Sequence, residues 1–327
     1  MPPEGGRPRR TPGGWRWYTR APPVAMFDVV PLGVGSAVPT ASRHLSGTLA
    51  RREGRSVLFD CGEGTQLQLV RGHLTRGQLD AVCVTHLHGD HLFGLPGLLM
   101  TLALLERDTP LTVVGPAGIA GIASLPGVAD LPYPVTFREL TDEDGVVVYE
   151  DEGVTIEARP LKHRVPCWGY RYQEHVRPGT IDGEAARAAG VTEGWQFEAL
   201  KQGETVALAD GTELPPDGLV GPPRPGAAFA YVLDTVPCDG GRALAHEADL
   251  LIHEATFTEA HAERARAVAH STARQAAEVA RDAGARRLLL THFSARYADT
   301  GGLVAEARSV FPASEAAEEL RRYEVRR

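Results

Sequence analysis

Residues 79–91 read LDAVCVTHLHGDH, in which a hydrophobic strand pattern runs directly into a cluster of potential metal ligands. The run LDAVCVT (79–85) is typical of a buried β-strand. The potential ligands that follow it are His86, His88, Asp90 and His91. Imidazole nitrogens and carboxylate oxygens are the ligands that zinc and similar divalent ions prefer. Because Gly89 permits a sharp turn, we expect the first two histidines to converge on one ion, and Asp90 and His91 to face a second position.

Three more potential ligands each follow a hydrophobic strand pattern in a distant part of the chain. They are His163 after the run that ends at Leu161, Asp234 at the end of AAFAYVLD, and His292 after RRLLLT. A single residue of this kind is more often a structural hydrogen-bonding group, but strand ends can share one edge of a sheet with the cluster at 86–91. A carboxylate such as Asp234 suits a position between two cations about 3.5–4 Å apart, as in two-metal hydrolases. Together the residues predict a two-metal centre.

The composition excludes several classes of protein. The chain has 327 residues, of which 43% are hydrophobic and 23% charged, so it can bury a sizeable core and is not disordered throughout. Lysine and arginine number 34 against 42 acidic residues, and the net charge of -8 excludes an overall basic nucleic-acid binder but not a local basic groove. The four cysteines form no CxxC pair, which predicts a reducing, cytoplasmic location. The longest apolar stretch (92–105) has about 14 residues, so we expect a buried helix there and no membrane association.

The order of strand and helix patterns predicts the fold class. Strand-like runs open the folded part of the chain, recur as four consecutive runs in its middle, and alternate with helices in both halves. Mixed strands with helices after both halves predict an α+β protein built as an αββα sandwich, in which two sheets lie between helical layers. One helix is predicted over 271–282, with Ser271 as its N-cap and Gly284 as its stop.

Two segments are expected to lie outside the core. Residues 1–25 are rich in glycine, proline and arginine, and are expected to be a disordered extension, a start that is not the native one, or a tail that helps to hold RNA; the domain then covers 26–327. The stretch at about 175–226 has little apolar periodicity and many glycines and prolines, which predicts an inserted arm that is external or disordered. Trp195 in this arm either packs the arm against the body or stacks on a base.

The ligand pattern and several longer motifs are similar to those of a known family. His-x-His-x-Asp-His with distant His, Asp and His resembles the metallo-β-lactamase fold superfamily, and the longer motifs resemble its ribonuclease Z family of tRNA 3′-processing endonucleases. The matching motifs are FDCGEGTQ (59–66), THLHGDH (85–91), GLPG (94–97), IHEATF (252–257), HST (270–272) and THFSARY (291–297). The resemblance runs from about residue 26 to about residue 312 and implies a metallo-β-lactamase-like fold with an inserted arm.

The resemblance implies a role for each potential ligand. One zinc ion would be held by His86, His88 and His163, a second would be held by Asp90, His91 and His292, and Asp234 would be shared between them. Zn2+ is implied at two ions per chain, with Mn2+ or another divalent ion as the alternative. By the same resemblance, a water activated at this site would attack phosphorus, Asp90 would contact that water and could take its proton, and His270 would protonate the leaving 3′-oxygen. Glu254 orients His270 and raises the pKa of its ring by charge proximity.

The resemblance also implies contacts with precursor tRNA and with a second copy of the chain. Arg43 and Ser271 are the candidate substrate contacts, and the loop that carries Arg43 helps to read the tRNA 3′ end in the family. Here that loop has Ala41 and His44 where the family has lysine and asparagine. The family's arm grips the tRNA elbow, yet residues 176–215 carry three basic and seven acidic residues, which disfavours phosphate contact. The helix at 92–105 lies near a homodimer contact in the family, so a homodimer is expected.

The expected function is that of a zinc-dependent endoribonuclease acting through a two-metal-activated hydroxide. It would remove 3′ trailers from precursor tRNA and leave a tRNA 3′-hydroxyl and a 5′-phosphorylated trailer. Two alternatives stay open. A metal-dependent phosphodiesterase or lactonase acting on small molecules would use the same site and is favoured by the acidic arm. A non-catalytic RNA-binding subunit is a different class, which the presence of every ligand and of both acid–base residues disfavours.

Overall fold

Two seven-stranded sheets carry most of the strands. The computed structural model describes residues 27–75, 78–141 and 144–327, and the extension predicted over 1–25 lies outside these ranges. In chain order the strands are β1 (Asp28–Gly33), β2 (Gly35–Ser36), β3 (Gly47–Arg52), β4 (Arg55–Phe59), β5 (Gln78–Cys83), β6 (Leu111–Pro116), β7 (Val135–Leu140), β8 (Val146–Glu150), β9 (Val154–Pro160), β10 (Trp168–Glu174), β11 (Val206–Ala207), β12 (Glu213–Leu214), β13 (Ala228–Val232), β14 (Leu250–Glu254), β15 (Leu288–Thr291), β16 (Phe293–Ser294), β17 (Ser314–Ala316) and β18 (Tyr323–Glu324). The α-helices are α1 (Thr65–Arg71), α2 (Gly89–Leu92), α3 (Leu95–Leu104), α4 (Gly183–Ala188), α5 (Gly194–Lys201), α6 (Asp239–Ala245), α7 (Ala262–Ala267), α8 (Ala273–Asp282) and α9 (Gly301–Arg308).

The strand order separates the protein into four layers. The first sheet has the order β18-β1-β3-β4-β5-β6-β7, and the second has the order β17-β15-β14-β13-β10-β9-β8. Neighbours are parallel from β4 to β7 in the first sheet and from β13 to β17 in the second. Helices α1 and α3 cover the first sheet, while α6, α8 and α9 pack on the second. The predicted αββα sandwich is confirmed.

Strand β5 shows how the sequence builds the two faces of the first sheet. Its residues Ala81 and Cys83 pack into the core between the sheets, whereas Val82 and Val84 pack into a second core beneath α1 and α3. The strand is buried on both faces, so it reads as a continuous apolar run rather than as an alternating one. Its carboxyl end leads directly into the ligand cluster.

The segment between β10 and β13 differs from the prediction in one respect. It was predicted to be external or disordered, yet α4, α5, β11 and β12 are ordered around a small apolar cluster of their own. The buried members are Ala186, Val191, Leu200 and Val206. These helices have six and eight residues, too few for a 3.6-residue period to emerge from the sequence. Trp195 does not anchor this segment, since it is 60% exposed.

One local expectation about a helix also needs correction. Helix α8 begins at Ala273, and its N-cap is Thr272, whose hydroxyl accepts a hydrogen bond from the Gln275 amide, so Ser271 is not the cap. The apolar stretch at 92–105 contains α3, which packs on the core with one face, while Leu104 is 84% exposed. In the described part of the chain, no helix combines the length and apolar character needed to cross a membrane.

Candidate metal centre and active site

The first group of predicted ligands meets at the edge where the two sheets end. It consists of His86, His88, His163 and Asp234, each of which offers one donor atom within 4.8 Å of the others. The His86 Nε2 atom lies 2.8 Å from His88 Nδ1 and 3.6 Å from Asp234 Oδ2. The His163 Nε2 atom lies 4.0 Å from the same carboxylate oxygen. Four donor atoms therefore surround one small volume.

A second group shares the other oxygen of the same carboxylate. Asp90, His91 and His292 place their donor atoms within 4.8 Å of one another. The Nε2 atoms of the two histidines are 3.2 Å apart, and Asp90 Oδ2 lies 3.4 Å from His91 and 3.6 Å from His292. Asp234 Oδ1 lies 3.4 Å from His91 Nε2 and 3.1 Å from His292 Nε2. The structure thus brings all seven predicted ligands together, with Asp234 between the two groups.

The donor atoms fit divalent cations. His163 Nε2 and Asp234 Oδ1 are buried and have no hydrogen-bond partner among the residues that the structure describes, which is costly unless another group satisfies them. Zn–N bonds of about 2.0–2.1 Å in a tetrahedron put neighbouring donors about 3.3 Å apart, close to the 3.2 Å between the His91 and His292 nitrogens. Burial lowers the pKa of His86 to about 2, so its imidazole is neutral and keeps a lone pair for a metal.

Backbone strain marks the ends of the strands that supply the site. Asp60, Asp234 and His292 have φ values of 57°, 48° and 58°, in the left-handed region that non-glycine residues seldom adopt. Each follows directly or closely on a buried strand, β4, β13 and β15. Such strain persists only where surrounding contacts impose it, and it clusters at functional sites. These turns bring the three side chains back over the strand ends.

Asp60 belongs to the site although it was quoted only as part of a motif and not predicted as a functional residue. Its Oδ2 atom lies 2.7 Å from His91 Nδ1, and Oδ1 accepts hydrogen bonds from the Thr85 amide at 2.7 Å and the Thr85 hydroxyl at 3.0 Å. The hydroxyl of Tyr231 donates to Oδ2 at 3.2 Å. A carboxylate behind a histidine fixes its tautomer and leaves the opposite nitrogen free for a metal. The sequence contained a signal for this role, because Asp60 ends the hydrophobic strand pattern SVLFD (56–60), as the predicted ligands end theirs.

Backbone and hydroxyl oxygens orient two further histidines in the same manner. His163 Nδ1 lies 3.0 Å from the carbonyl oxygen of Ala269, and His292 Nδ1 lies 3.0 Å from the Thr256 hydroxyl. That hydroxyl donates to Glu254 Oε2 at 2.6 Å. Both imidazoles consequently present Nε2 to the centre.

The predicted acid–base pair lies beside the same centre. His270 Nδ1 is 2.9 Å from Glu254 Oε1, and its Nε2 is 3.9 Å from Asp234 Oδ2. Glu254 is fully buried and also accepts a hydrogen bond from the Thr235 amide at 2.7 Å. Burial opposes protonation of His270, but the charge of Glu254 and its hydrogen bond outweigh it and raise the pKa of the ring to about 9. The imidazole can therefore hold a proton at neutral pH.

The two predicted substrate contacts, Arg43 and Ser271, both form hydrogen bonds with backbone carbonyls. The Ser271 side chain is buried, and its hydroxyl donates to the Thr235 carbonyl at 2.6 Å. The Arg43 guanidinium lies over the Phe293 ring and donates to the Tyr297 carbonyl at 2.8 Å. Both side chains donate to backbone carbonyls, and a direct contact of either one with the substrate stays a prediction. Arg43 ties its own loop to the segment that follows His292.

In the loop at 37–44, His44 and Ala41 stand where the resembling family has asparagine and lysine, and their surroundings differ. His44 contacts the body through Glu319, which lies 2.7 Å from its Nδ1 atom, and Arg71, which lies 2.9 Å from its Nε2 atom. Ala41 is exposed, at the position where the resembling family has lysine. The same loop touches the metal centre, since the Ala37 amide donates to Asp90 Oδ2 at 2.8 Å.

Comparisons with known proteins agree with this architecture. Family profiles match two parts of the chain: one described as Anti-Pycsar protein Apyc1 matches residues 27–116, and one described as Beta-lactamase superfamily domain matches residues 218–293. The relative named Ribonuclease Z from Salinibacter ruber is 55% identical over 305 residues, which cover 91% of this chain and 94% of that protein. Ribonuclease BN from Cronobacter sakazakii is 44% identical, covering 88% and 97% of the two chains.

A solved structure extends the comparison. The crystal structure of human tRNase Z, short form (ELAC1), superposes with a TM-score of 0.65 at 29% identity and covers 92% of this chain and 100% of that chain. The 55% identity to the Salinibacter ruber protein over 91% of this chain, together with the ligand arrangement, decides the family. The chain belongs to the ribonuclease Z family of the metallo-β-lactamase fold superfamily.

Proposed function

We propose that this chain is a metal-dependent endoribonuclease that cuts precursor tRNA at its 3′ trailer. The products are a tRNA with a 3′-hydroxyl and a trailer with a 5′-phosphate. The observation that carries the proposal is the position of His270 beside the seven-residue ligand cluster, hydrogen-bonded to a fully buried Glu254. The 55% identity to a protein named Ribonuclease Z, over 91% of the chain, supports precursor tRNA as the substrate.

The ligand groups suit two cations, for which we propose Zn2+ at two per chain, with Mn2+ as the alternative. The first is held by His86, His88 and His163, the second by Asp90, His91 and His292, with Asp234 shared between them. When bound, such cations supply Lewis-acid stabilisation of phosphate charge and activation of a water molecule at neutral pH. The buried, neutral imidazoles and the carboxylate network supply the donors for both.

Two side chains then move protons. Asp90, whose Oδ2 atom accepts a hydrogen bond from the Ala37 amide at 2.8 Å and lies 3.4 Å from His91 Nε2, takes a proton from the attacking water. His270 stands on the other side of Asp234 with its Nε2 atom directed towards the centre. It delivers its proton to the leaving 3′-oxygen, and Glu254 keeps the ring in the orientation that permits this transfer.

The domain organisation, assembly and location belong to the same proposal. We propose a metallo-β-lactamase-like domain over 26–327 with an arm at about 175–226 that meets the substrate. A homodimer is supported by apolar side chains exposed on and beside α1 and α3. They include Leu67 and Val70 at 55% exposure, Phe93 at 69% and Leu104 at 84%. Cleavage of tRNA by a protein with four free, buried cysteines suits the cytoplasm.

One experiment separates this function from hydrolysis of small molecules. Purified protein is incubated with a labelled precursor tRNA and, separately, with bis(p-nitrophenyl) phosphate and a simple lactone, before and after chelation. We expect a single cut in the precursor that chelation abolishes and added Zn2+ restores. Turnover of a small substrate without any cut in precursor tRNA would favour the phosphodiesterase or lactonase alternative. Binding of tRNA without turnover of any substrate would favour the non-catalytic one.

Elemental analysis tests the cation proposal separately. Protein never exposed to chelator is expected to hold about two transition-metal ions per chain, as in other two-metal sites. His91→Ala is expected to remove mainly one of them. His246→Ala serves as the control, because His246 is an exposed histidine at the C-terminal end of α6. Absence of tightly bound metal in the unaltered protein would contradict the two-cation site.

A further inference from the structure

The arm is built as a continuation of two strands of the second sheet. Strands β10 and β13 are antiparallel neighbours, and their last pair is Gln173 with Ala228. The same register continues into the arm, where Arg177 pairs with Arg224 and Ile181 with Val220. Both backbone hydrogen bonds between Arg177 and Arg224 are 2.9 Å long. We call residues 174–182 and 219–227 the stalk, because this two-stranded ladder carries the remainder of the arm.

A buried carboxylate joins the base of the stalk to the body. Glu174, the last residue of β10, is 4% exposed. Its Oε1 atom accepts a hydrogen bond from Arg52 Nε at 2.9 Å and one from Arg177 Nη2. Its Oε2 atom accepts from the Ala227 amide at 3.0 Å. Arg52 ends β3 of the first sheet, so one side chain connects both sheets with both ends of the arm.

The backbone at the stalk leaves little room for the two ends to separate or shift. A Cβ atom added at Gly226 would lie 2.1 Å from the Glu174 carbonyl oxygen, and one added at Gly179 would lie 1.8 Å from the Gly221 carbonyl oxygen. Gln173 Nε2 also donates to the Gly226 carbonyl at 3.2 Å. We call Glu174 and its two arginine partners, Arg52 and Arg177, the clamp. Because the close backbone contacts and the clamp occur at the same place, they hold the stalk in one orientation.

The opposite ends of these two strands carry metal ligands. His163 precedes β10 by five residues, and Asp234 follows β13 by two residues. A strand rises about 3.3 Å per residue, so the arm and the ligand Asp234 are separated by about 20 Å of paired backbone. Paired strands transmit an orientation over this distance better than a single loop does. The stalk therefore fixes where the arm stands relative to the reacting centre.

We propose that Glu174 is a positioning residue, which holds the arm at the angle that presents precursor tRNA to the metal centre. This inference rests on the proposed function, in which the arm meets the substrate. Pre-organisation of a binding element saves the free energy of ordering it when the ligand binds. Loosening the stalk should consequently weaken capture of the long substrate without altering the chemistry at the ligand cluster.

The test compares Glu174→Gln with a matched control in the full-length, metal-loaded protein. Asp80→Asn is the control because Asp80 is also a buried carboxylate with an arginine partner, Arg55, at 3.1 Å, but lies in β5 away from the arm. Arg177→Gln is a second variant that removes only the stalk's own side chain from the clamp. For each protein we would measure KM and kcat with precursor tRNA, turnover of bis(p-nitrophenyl) phosphate, and hydrogen exchange of backbone amides in 175–226.

The expected result is a rise in KM for precursor tRNA of about three- to tenfold in both stalk variants, with kcat and bis(p-nitrophenyl) phosphate turnover unchanged. Amides of the stalk should exchange faster in these variants and not in Asp80→Asn. The dependence of KM on salt should keep its slope in Arg177→Gln, since loss of a phosphate contact would lower that slope by about one unit.

Several results would overturn the proposal. Unchanged KM and unchanged exchange in Glu174→Gln would show that the carboxylate positions nothing, and so would equal losses on both substrates in all three variants. If the unaltered protein does not cut precursor tRNA, the proposed function fails. Amide exchange in 175–226 still decides, on its own, whether Glu174 holds the stalk.

Discussion

His270 Nδ1 lies 2.9 Å from Glu254 Oε1, while the opposite ring nitrogen points towards the shared ligand Asp234 at 3.9 Å. One imidazole therefore spans the distance from a buried carboxylate to the metal centre. The side chain of His270 is 11% exposed and that of Glu254 is inaccessible. With Nδ1 bonded to Glu254, the ring presents its other nitrogen to the ligand cluster, which is the direction that the proposed proton transfer needs.

Replacement of His270 tests its role as the acid. We expect His270→Ala to lower the rate of precursor tRNA cleavage by about 10²–10⁴, the usual contribution of a general acid, with metal content unchanged. A substrate whose leaving group is nitrophenolate needs no proton and should lose much less. Equal losses on both substrates, measured in parallel with metal content and melting temperature, would show that His270 has another role.

Glu254 should act through the pKa of His270. Glu254→Gln removes the charge that raises this pKa to about 9, so the pKa should fall. A general acid works only while protonated, and activity is lost as pH rises through its pKa. The alkaline decline of kcat/KM for precursor tRNA should therefore move to lower pH in the variant. An unmoved decline, with the rate lowered equally at every pH, would contradict this relationship.

Asp60 should control the affinity of the second ligand group. Asp60→Asn keeps the size of the side chain and tolerates the left-handed backbone, but removes the charge behind His91. Loss of such a supporting carboxylate typically weakens metal binding about 10–100-fold. Competition with a chelator should show this loss for one ion per chain, whereas Asp80→Asn should bind both ions normally. Unchanged affinity in Asp60→Asn would mean that Thr85 suffices to hold the ring.

The ligand set could be predicted because its signal is local. Each of His163, Asp234 and His292 directly follows an apolar run, and strands that share a sheet edge bring such residues together whatever their separation in sequence. The fold class followed from the same alternation of strand and helix patterns. Supporting contacts were not predictable in this way. Tyr231 reaches Asp60 across 171 residues, and nothing in either local sequence announces the contact.

The arm shows a second limit of sequence patterns. Its apolar cluster comes from single residues in short elements, such as Ala186 and Leu200, which produce no periodic signal. The stalk depends on the register between residues near 177 and 224, which only the pairing of β10 with β13 sets. The contacts of the Arg43 and Ser271 side chains could not be predicted for a related reason. Their motifs place them near the site, but the direction of each side chain depends on distant backbone carbonyls.

Deletion of the arm tests how much its contacts contribute. Gly179 and Gly221 are in contact, so residues 180–220 can be replaced by a short glycine turn without displacing β10 or β13. With three basic and seven acidic residues over 176–215, the arm should add little counterion release, and we expect tRNA affinity to fall by about tenfold or less. Hydrolysis of bis(p-nitrophenyl) phosphate should continue at a similar rate. A hundredfold or larger loss of tRNA affinity would show that shape contacts or the exposed Trp195 outweigh charge.

The chemistry of the cut ends distinguishes attack by water from attack by the 2′-hydroxyl of the RNA. Attack of water on phosphorus, with departure of the 3′-oxygen that His270 protonates, leaves the phosphate on the trailer. Attack by the neighbouring 2′-hydroxyl would leave a cyclic phosphate on the tRNA instead. We predict that metal-loaded protein cuts a labelled precursor tRNA to give a tRNA 3′-hydroxyl and a trailer 5′-phosphate, and that chelated protein gives no cut. A cyclic or 3′-phosphate on the tRNA, or cleavage that survives complete removal of metal, would contradict it.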